Sequence, residues 1–278
     1  MTRAISVLLL LSASLMMAAQ PIDVPNYSFE SPAVTRDQDN PYGALPWIDD
    51  WDETAVGPDD EMDPNTGVFL NTDPGDPDYV TNADLDRLAF ISSLIGNDLR
   101  QELTATFVPG RHYRLTVGVA KSLRFPVGDD EPLEIGLYYR DDEGEHLIVS
   151  SYVAGGHVSS TFLTDVAVLT RAVSADDPWA NQPIGILIRP AIDDPDDTVD
   201  EGFWDLDNVR LEWFPPLAGD IDGNGNVDEQ DLAAFYDCFT GPAVGPVAPG
   251  CEPADTDGDG DVDQVDFARL QANFYVPG

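Results

Sequence analysis

The sequence predicts a mainly β protein: an antiparallel β-sandwich followed by a small all-α unit built on two equivalent acidic loops. Three observations carry that prediction. Between residues 21 and 214, many short stretches alternate polar and apolar residues and are separated by Gly, Pro and Asp, the pattern of half-buried strands joined by turns. No stretch in that zone carries a convincing long amphipathic helix. Beyond Gly219 the pattern changes to a duplicated loop, each copy followed by apolar residues at i, i+3 and i+7, which puts one apolar stripe on a helix.

The first residues read as an export signal. Arg3 supplies a positive start, residues 4–17 form an apolar run, and Ala18-Ala19 offer a small-residue cleavage site before Gln20. The run is short for a membrane span, and an uncleaved anchor is the competing reading. A signal peptide over residues 1–19 predicts a secreted, extracellular protein, with association to a cell surface left open. Export places Cys238 and Cys251 in an oxidising compartment, where a disulfide is the default and two separate thiols the alternative. Closing so short a loop stabilises a fold by about 3 kcal/mol.

Strands are expected over residues 87–92, 111–119, 133–139, 146–152, 161–169, 184–189 and 208–213. Arg140-Asp141-Asp142-Glu143-Gly144-Glu145 joins two of them as a hairpin turn, with glycine free to take positive φ. Residues 32–82 are rich in Asp, Pro and Gly and are expected to form long loops at one end of the sandwich. Pro215-Pro216-Leu217-Ala218-Gly219 is a stiff linker closing the strand domain. The domain plan is therefore a sandwich over 20–214, a linker over 215–219 and a tail over 220–278.

Thirteen basic residues against 52 acidic ones give a formal net charge of -39. Such a surface repels nucleic acid and anionic lipid, so neither is an expected partner, and the plausible counter-ions are divalent cations or dissolved salt. The tail concentrates this charge. Its first loop presents Asp220, Asp222, Asn224, Asp228 and Asp231, and its second Asp255, Asp257, Asp259, Asp263 and Asp266. These are positions 1, 3, 5, 9 and 12 of a 12-residue calcium loop, with glycine at position 6 (Gly225, Gly260) to take the sharp bend. Position 7, Asn226 or Asp261, would offer a backbone carbonyl. Val227 and Val262 at position 8 would pin each loop to a small core. After the loops, Leu232, Phe235 and Phe239 match Phe267, Leu270 and Phe274, so the two helices are expected to pack on each other.

A calcium loop with a following helix, duplicated in one short tail, resembles the dockerin type I family. The resemblance implies two bound Ca2+ ions and a cohesin-like partner on a scaffold or cell surface. Positions 10 and 11, small hydroxyl residues in the best-known dockerins, are here Glu229-Gln230 and Gln264-Val265, a departure at the positions that help select the partner.

Two motifs bracket the sandwich: Asn26-Tyr27-Ser28-Phe29-Glu30 near its start and Asp207-Asn208-Val209-Arg210-Leu211 at its end. Read as opening and closing strands, they look like the galactose-binding-like jelly roll of many carbohydrate-binding modules. Leu99-Arg100-Gln101-Glu102-Leu103 fits that family's middle strands. The resemblance implies that Glu30 and Asp207 share a structural calcium; the blander reading has Glu30 cap a strand edge and Asp207 a turn. Sugar rings stack on aromatic faces, which makes Tyr42, Trp47, Trp51 and Trp179 candidate ligand-binding residues, although most large aromatics are core residues.

No Gly-x-Ser-x-Gly elbow or His-Glu-x-x-His helix is present, and among 52 acidic residues no carboxylate pair can be singled out. No catalytic residue is therefore nominated. The leading expectation is a secreted, calcium-dependent docking protein whose non-catalytic sandwich recognises carbohydrate or serves as a surface module. The alternative is a polysaccharide-degrading enzyme, a glycoside hydrolase or lyase, displayed through the same tail.

Overall fold

The alternating segments become strands because each offers one face to a shared core and one to the outside. The computed structural model describes residues 19–40, 43–54, 65–94, 96–191, 202–215, 218–223 and 227–274; the expected export signal lies outside the described residues except for its last position. The strands are β1 (Gln20–Ile22), β2 (Ala44–Leu45), β3 (Asp52–Thr54), β4 (Thr66–Leu70), β5 (Arg87–Ser92), β6 (Asp98–Thr106), β7 (His112–Lys121), β8 (Pro132–Asp141), β9 (Gly144–Ala154), β10 (Thr164–Leu169), β11 (Pro183–Pro190) and β12 (Phe203–Phe214). Two helices follow, α1 (Glu229–Cys238) and α2 (Gln264–Asn273).

One sheet runs β10-β7-β12-β5-β4-β2 with β1 added to β12, and the other runs β3-β6-β11-β8-β9. Every strand pairing is antiparallel. The predicted hairpin stands: Asp141 pairs with Gly144, whose φ of 127° no ordinary residue adopts easily.

Between the sheets, Leu115, Val117 and Val119 of β7 face the same core as Leu133, Ile135 and Leu137 of β8 and Ile184, Ile186 and Ile188 of β11. Trp204 and Leu206 of β12 join them. A second, smaller apolar cluster of Val80, Leu88, Ala120 and Leu163 lies on the far face of the larger sheet, where loop residues cover it.

Two expectations change. The Asn26–Glu30 motif is not the opening strand; β1 is, and it pairs with β12. Residues 25–28 form turns instead, because Asn26 and Phe29 take left-handed φ values of 50° and 54°. The Asn26 side chain donates to the carbonyls of Ser31 and Asp49, and Phe29 is driven into the core against Trp51. The expected loops over 32–82 also contain β2, β3 and β4, which complete the sheets at their edges.

In the tail, Val227, Phe235, Ala254, Val262 and Leu270 form the buried centre, with Leu232, Phe267 and Phe274 packed around it. Both position-8 valines are thus core residues, and the Phe235 and Phe267 rings meet at 5.6 Å. Phe239 departs from its expected role: it follows the last turn of α1 and is 45% exposed. Cys238 and Cys251 are disulfide-bonded.

The central position of β11 makes Ile186 a sensitive probe of the sandwich. Ile186→Ala is expected to lower unfolding stability by about 2–5 kcal/mol through lost burial and a residual cavity; urea denaturation followed by tryptophan fluorescence measures it.

Candidate functional sites

The tail places its acidic side chains as ligand sets. Ligand oxygens of Asp220, Asp222 and Asp231 lie within 4.8 Å of one another, as do those of Asp255, Asp257 and Asp259 and those of Asp261, Asp263 and Asp266. Asn224 and Asn226 lie outside the described residues. The local chemistry behind this is helix capping. Asp228 and Asp263 cap α1 and α2, their side chains accepting from the N–H groups of Gln230 and Val265.

Asp231 and Asp266 close the capping boxes and are fully buried. Their outer oxygens reach back across the loops: Asp231 Oδ1 accepts from Ile221 and Asp222, and Asp266 Oδ1 from Thr256 and Asp257. Each position-12 aspartate therefore ties the start of its loop to the start of its helix. In the second loop the N–H groups of Gly258, Asp259 and Gly260 donate to Asp255. Gly260 holds a φ of 93°, as position 6 requires.

Hard oxygen donors gathered in this way fit a divalent cation such as calcium. Electrostatics points the same way. The Asp257 and Asp261 carboxyls are pushed above their ordinary range, first by desolvation and then by neighbouring carboxylates, Asp259 and Asp266 in both cases. A cation supplies the missing positive charge and relieves that repulsion.

The tail also touches the sandwich. His112, at the start of β7, is buried with Nε2 3.4 Å from Asp220 Oδ2. Its Nδ1 lies 3.1 Å from the Thr170 carbonyl, and its ring stacks on Phe214 at 5.4 Å and 4°. The Ala172 N–H donates to the Gly223 carbonyl at 3.0 Å.

In the sandwich, Glu30 and Asp207 each have structural work. Glu30 Oε1 accepts from the N–H groups of Asp86 and Arg87, and its other oxygen pairs with the Arg87 guanidinium. The Asp207 oxygens accept from Asp84 and Asn208. Among the described residues, neither belongs to a set of three converging acidic or histidine ligands.

The candidate sugar platform needs correction. Trp51 and Trp179 are 6% and 5% exposed and belong to the main core, so neither offers a face for stacking. Trp47 is 46% exposed, and Tyr42 lies outside the described residues.

Asp205 is the residue that sequence reasoning missed. It pairs in register with Phe90 of β5 and Ala120 of β7. Alternation along β12 sends Trp204 and Leu206 into the inter-sheet core and Asp205 to the opposite face, beside the outer apolar cluster. Phe90 packs edge-on against Phe203 at 5.8 Å, and Phe125, which is exposed, reaches Phe203 at 6.2 Å.

Desolvation alone pushes the Asp205 carboxyl up to about 8. Asp207 is pushed up to about 8 by burial as well, although it accepts hydrogen bonds. The available signal was one acidic residue inside Phe203-Trp204-Asp205-Leu206, a run otherwise fit for burial on both faces.

A family model described as HpiC1 cyclase matches residues 20–212, and the dockerin type I domain model matches residues 218–274. Among solved structures, the chain is similar to a cyclase from Fischerella sp. TAU in complex with 4-(1H-indol-3-yl)butan-2-one. That alignment has 21% identity, covers 71% of this chain and 98% of that one, and gives a TM-score of 0.51. A putative sugar binding protein from Bacteroides thetaiotaomicron aligns at 12% identity over 67% of this chain and 97% of that one, with a TM-score of 0.40. The CBM22-1 xylan-binding domain from Paenibacillus barcinonensis Xyn10C aligns at 10% identity over 59% of this chain and 86% of that one, with a TM-score of 0.36. No curated protein matches the sequence.

The loop geometry and the buried carboxyls each have a measurable consequence. Chelating divalent ions from the full chain is expected to reduce the far-ultraviolet helical signal, because the five-residue buried centre of the tail is too small to outweigh carboxylate repulsion. Circular dichroism before and after calcium is restored reads this out.

The carboxyls act through proton linkage. A folded-state value of about 8, against 3.8 for an unperturbed aspartate, means that the native state holds extra protons between those limits. Stability from Asp205 is therefore present at low pH and lost as pH rises toward 8, by up to about 1.4 kcal/mol per pH unit. Asp207 adds a slope of the same sign. Asp205→Asn is expected to remove roughly half of that combined decline between about pH 5 and pH 8 in denaturation experiments.

Proposed function

Because the chain belongs, over residues 20–212, to the HpiC1-like cyclase family, we propose that it is an acid-catalysing sandwich enzyme carried by a calcium-loaded docking tail. The tail is a type I dockerin domain over residues 218–274. Two Ca2+ ions, held by the Asp220–Asp231 and Asp255–Asp266 loops, would clamp α1 and α2 into one unit that docks on a cohesin-like partner outside the cell. Among the described residues, no helix is long and apolar enough to cross a membrane.

One observation carries the catalytic half of the proposal: a buried carboxyl, raised by desolvation with no hydrogen bond from the described residues to lower it, held protonated at neutral pH beside phenylalanine rings. Such a group can give its proton to an electron-rich carbon of an apolar substrate. The resulting cation is captured within the substrate as a ring closes, and loss of a proton to the Asp205 carboxylate restores the acid. Atoms and charge balance without a co-reactant. The phenylalanine surroundings exclude water and present π faces to the cation.

The test uses 4-(1H-indol-3-yl)butan-2-one as a binding probe, followed by indoles that bear an unsaturated apolar chain as substrates. Saturable binding and ring closure are expected, with closure slowed at least about 100-fold in Asp205→Asn while probe affinity is largely kept. Full activity in that variant removes Asp205 from the mechanism.

One feature favours carbohydrate recognition as a second reading. On the outer face of the other sheet, Tyr152 is 59% exposed, and its hydroxyl donates to Glu134 at 2.7 Å, which Arg189 also holds at 2.6 Å. An exposed aromatic face beside fixed polar groups suits a sugar ring. Calcium-independent retention on insoluble xylan, lost in Tyr152→Ala, would support it, and free passage through the column would exclude that glycan.

A further inference from the structure

The two calcium loops are close copies in sequence, yet they have different surroundings. In the second, three backbone N–H groups converge on Asp255. Among the described residues, no sandwich side chain forms a hydrogen bond or ion pair with Asp255. The first loop lies against the sandwich. Asp220 is 4% exposed, and the imidazole facing it belongs to β7.

Three contacts fix that imidazole. A carbonyl oxygen only accepts, so His112 Nδ1 donates to Thr170, and the ring is thereby turned with Nε2 toward Asp220 Oδ2. Phe214, the last residue of β12, stacks parallel on its face. On the other side of the seam, the Ala172–Gly223 hydrogen bond holds the loop's fourth residue to the sandwich. Sheet and loop meet at one buried ring.

We propose that His112 is a positioning residue for the first calcium site: the sandwich orients Asp220 through it, so ion uptake in the first loop is coupled to the sandwich while uptake in the second is not. The proposal rests on calcium binding by the tail. It assigns a task to a histidine that lies outside both loops, and it makes the two halves of the tail unequal. The side of the first loop that faces β7 is closed to a partner, and a loaded first loop fixes how the tail stands on the sandwich.

Calcium titration calorimetry of the full chain at one pH tests this in two backgrounds. In Asp255→Ala only the first site remains, and adding His112→Ala is expected to weaken it about tenfold or more, the usual effect of losing an outer-sphere partner. In Asp220→Ala only the second site remains, and the same change is expected to leave its affinity within about twofold. His112→Gln, which keeps a polar side chain at similar reach, is expected to recover most of the loss, and it carries the test if His112→Ala does not fold.

The thermal midpoint of the sandwich, followed by near-ultraviolet tryptophan signals, is a second readout. Calcium is expected to raise it in the parent and in Asp255→Ala, but not in His112→Ala or Asp220→Ala. Equal weakening of both sites, or none at the first, overturns the proposal while leaving calcium binding intact. Absence of any calcium heat in the parent overturns the calcium reading itself.

Discussion

The alternation of side chains over residues 203–207 of β12, a stretch covered on both faces, is the constraint on which the rest depends. Because successive residues must point to opposite sides, Trp204 and Leu206 can fill the inter-sheet core only if Asp205 lies on the far side. That side is covered by loops and apolar residues, so the carboxyl is desolvated wherever the strand is correctly registered. A one-residue slip would put the carboxylate into the main core and the indole outside, and no other pairing of β5 and β7 would offset that. The acid is a consequence of the register that makes the sandwich stable.

The same strand organises both ends of the domain. β1 pairs with it, so the first and last strands are neighbours. Its irregularity between Asp207 and Arg210 lets the Val209 N–H reach the Tyr27 carbonyl and holds the turn that carries Phe29 into the core. At its end, Phe214 supports His112 and delivers the chain into the first acidic loop. The buried Asp205 carboxyl, the core plug and the tail seam are therefore tied to one strand and respond together to its loss.

The tail is held by a different balance. Its apolar centre is small, and its loops crowd carboxylates that repel one another without a cation. Backbone N–H groups directed at Asp231 and Asp266, the capping boxes and the disulfide hold the loop oxygens inward in the folded tail. That arrangement joins each loop to its helix. It also explains why aspartate serves at position 12: in both loops its shorter side chain caps the helix and bridges to the loop's second and third residues at once.

Much of this was legible in the sequence. Period-two alternation marked seven of the strands, the closing Asn208–Trp213 segment among them, turn residues marked the Asp142-Glu143 hairpin, and the duplicated acidic loops with their valines and helical stripes marked the tail. Both signals are local and repeat, which is why they can be read along a chain. What depended on distant partners could not be read. The Asn26–Glu30 motif resembles a strand in composition, but side-chain hydrogen bonds from Asn26 and the pull of Phe29 toward Trp51 make it a turn. Trp51 and Trp179 stand in loop-like sequence, yet the fold draws them into the core. Sequence alone determined the two-part plan, the strand periods, the calcium-type ligand spacing and the cysteine pair, because each is a pattern of neighbours. Only the tertiary structure decided that the Asp205 carboxyl is desolvated and that His112 faces Asp220. Desolvation and close approach are properties of what surrounds a residue in space, and chain order does not encode those surroundings directly.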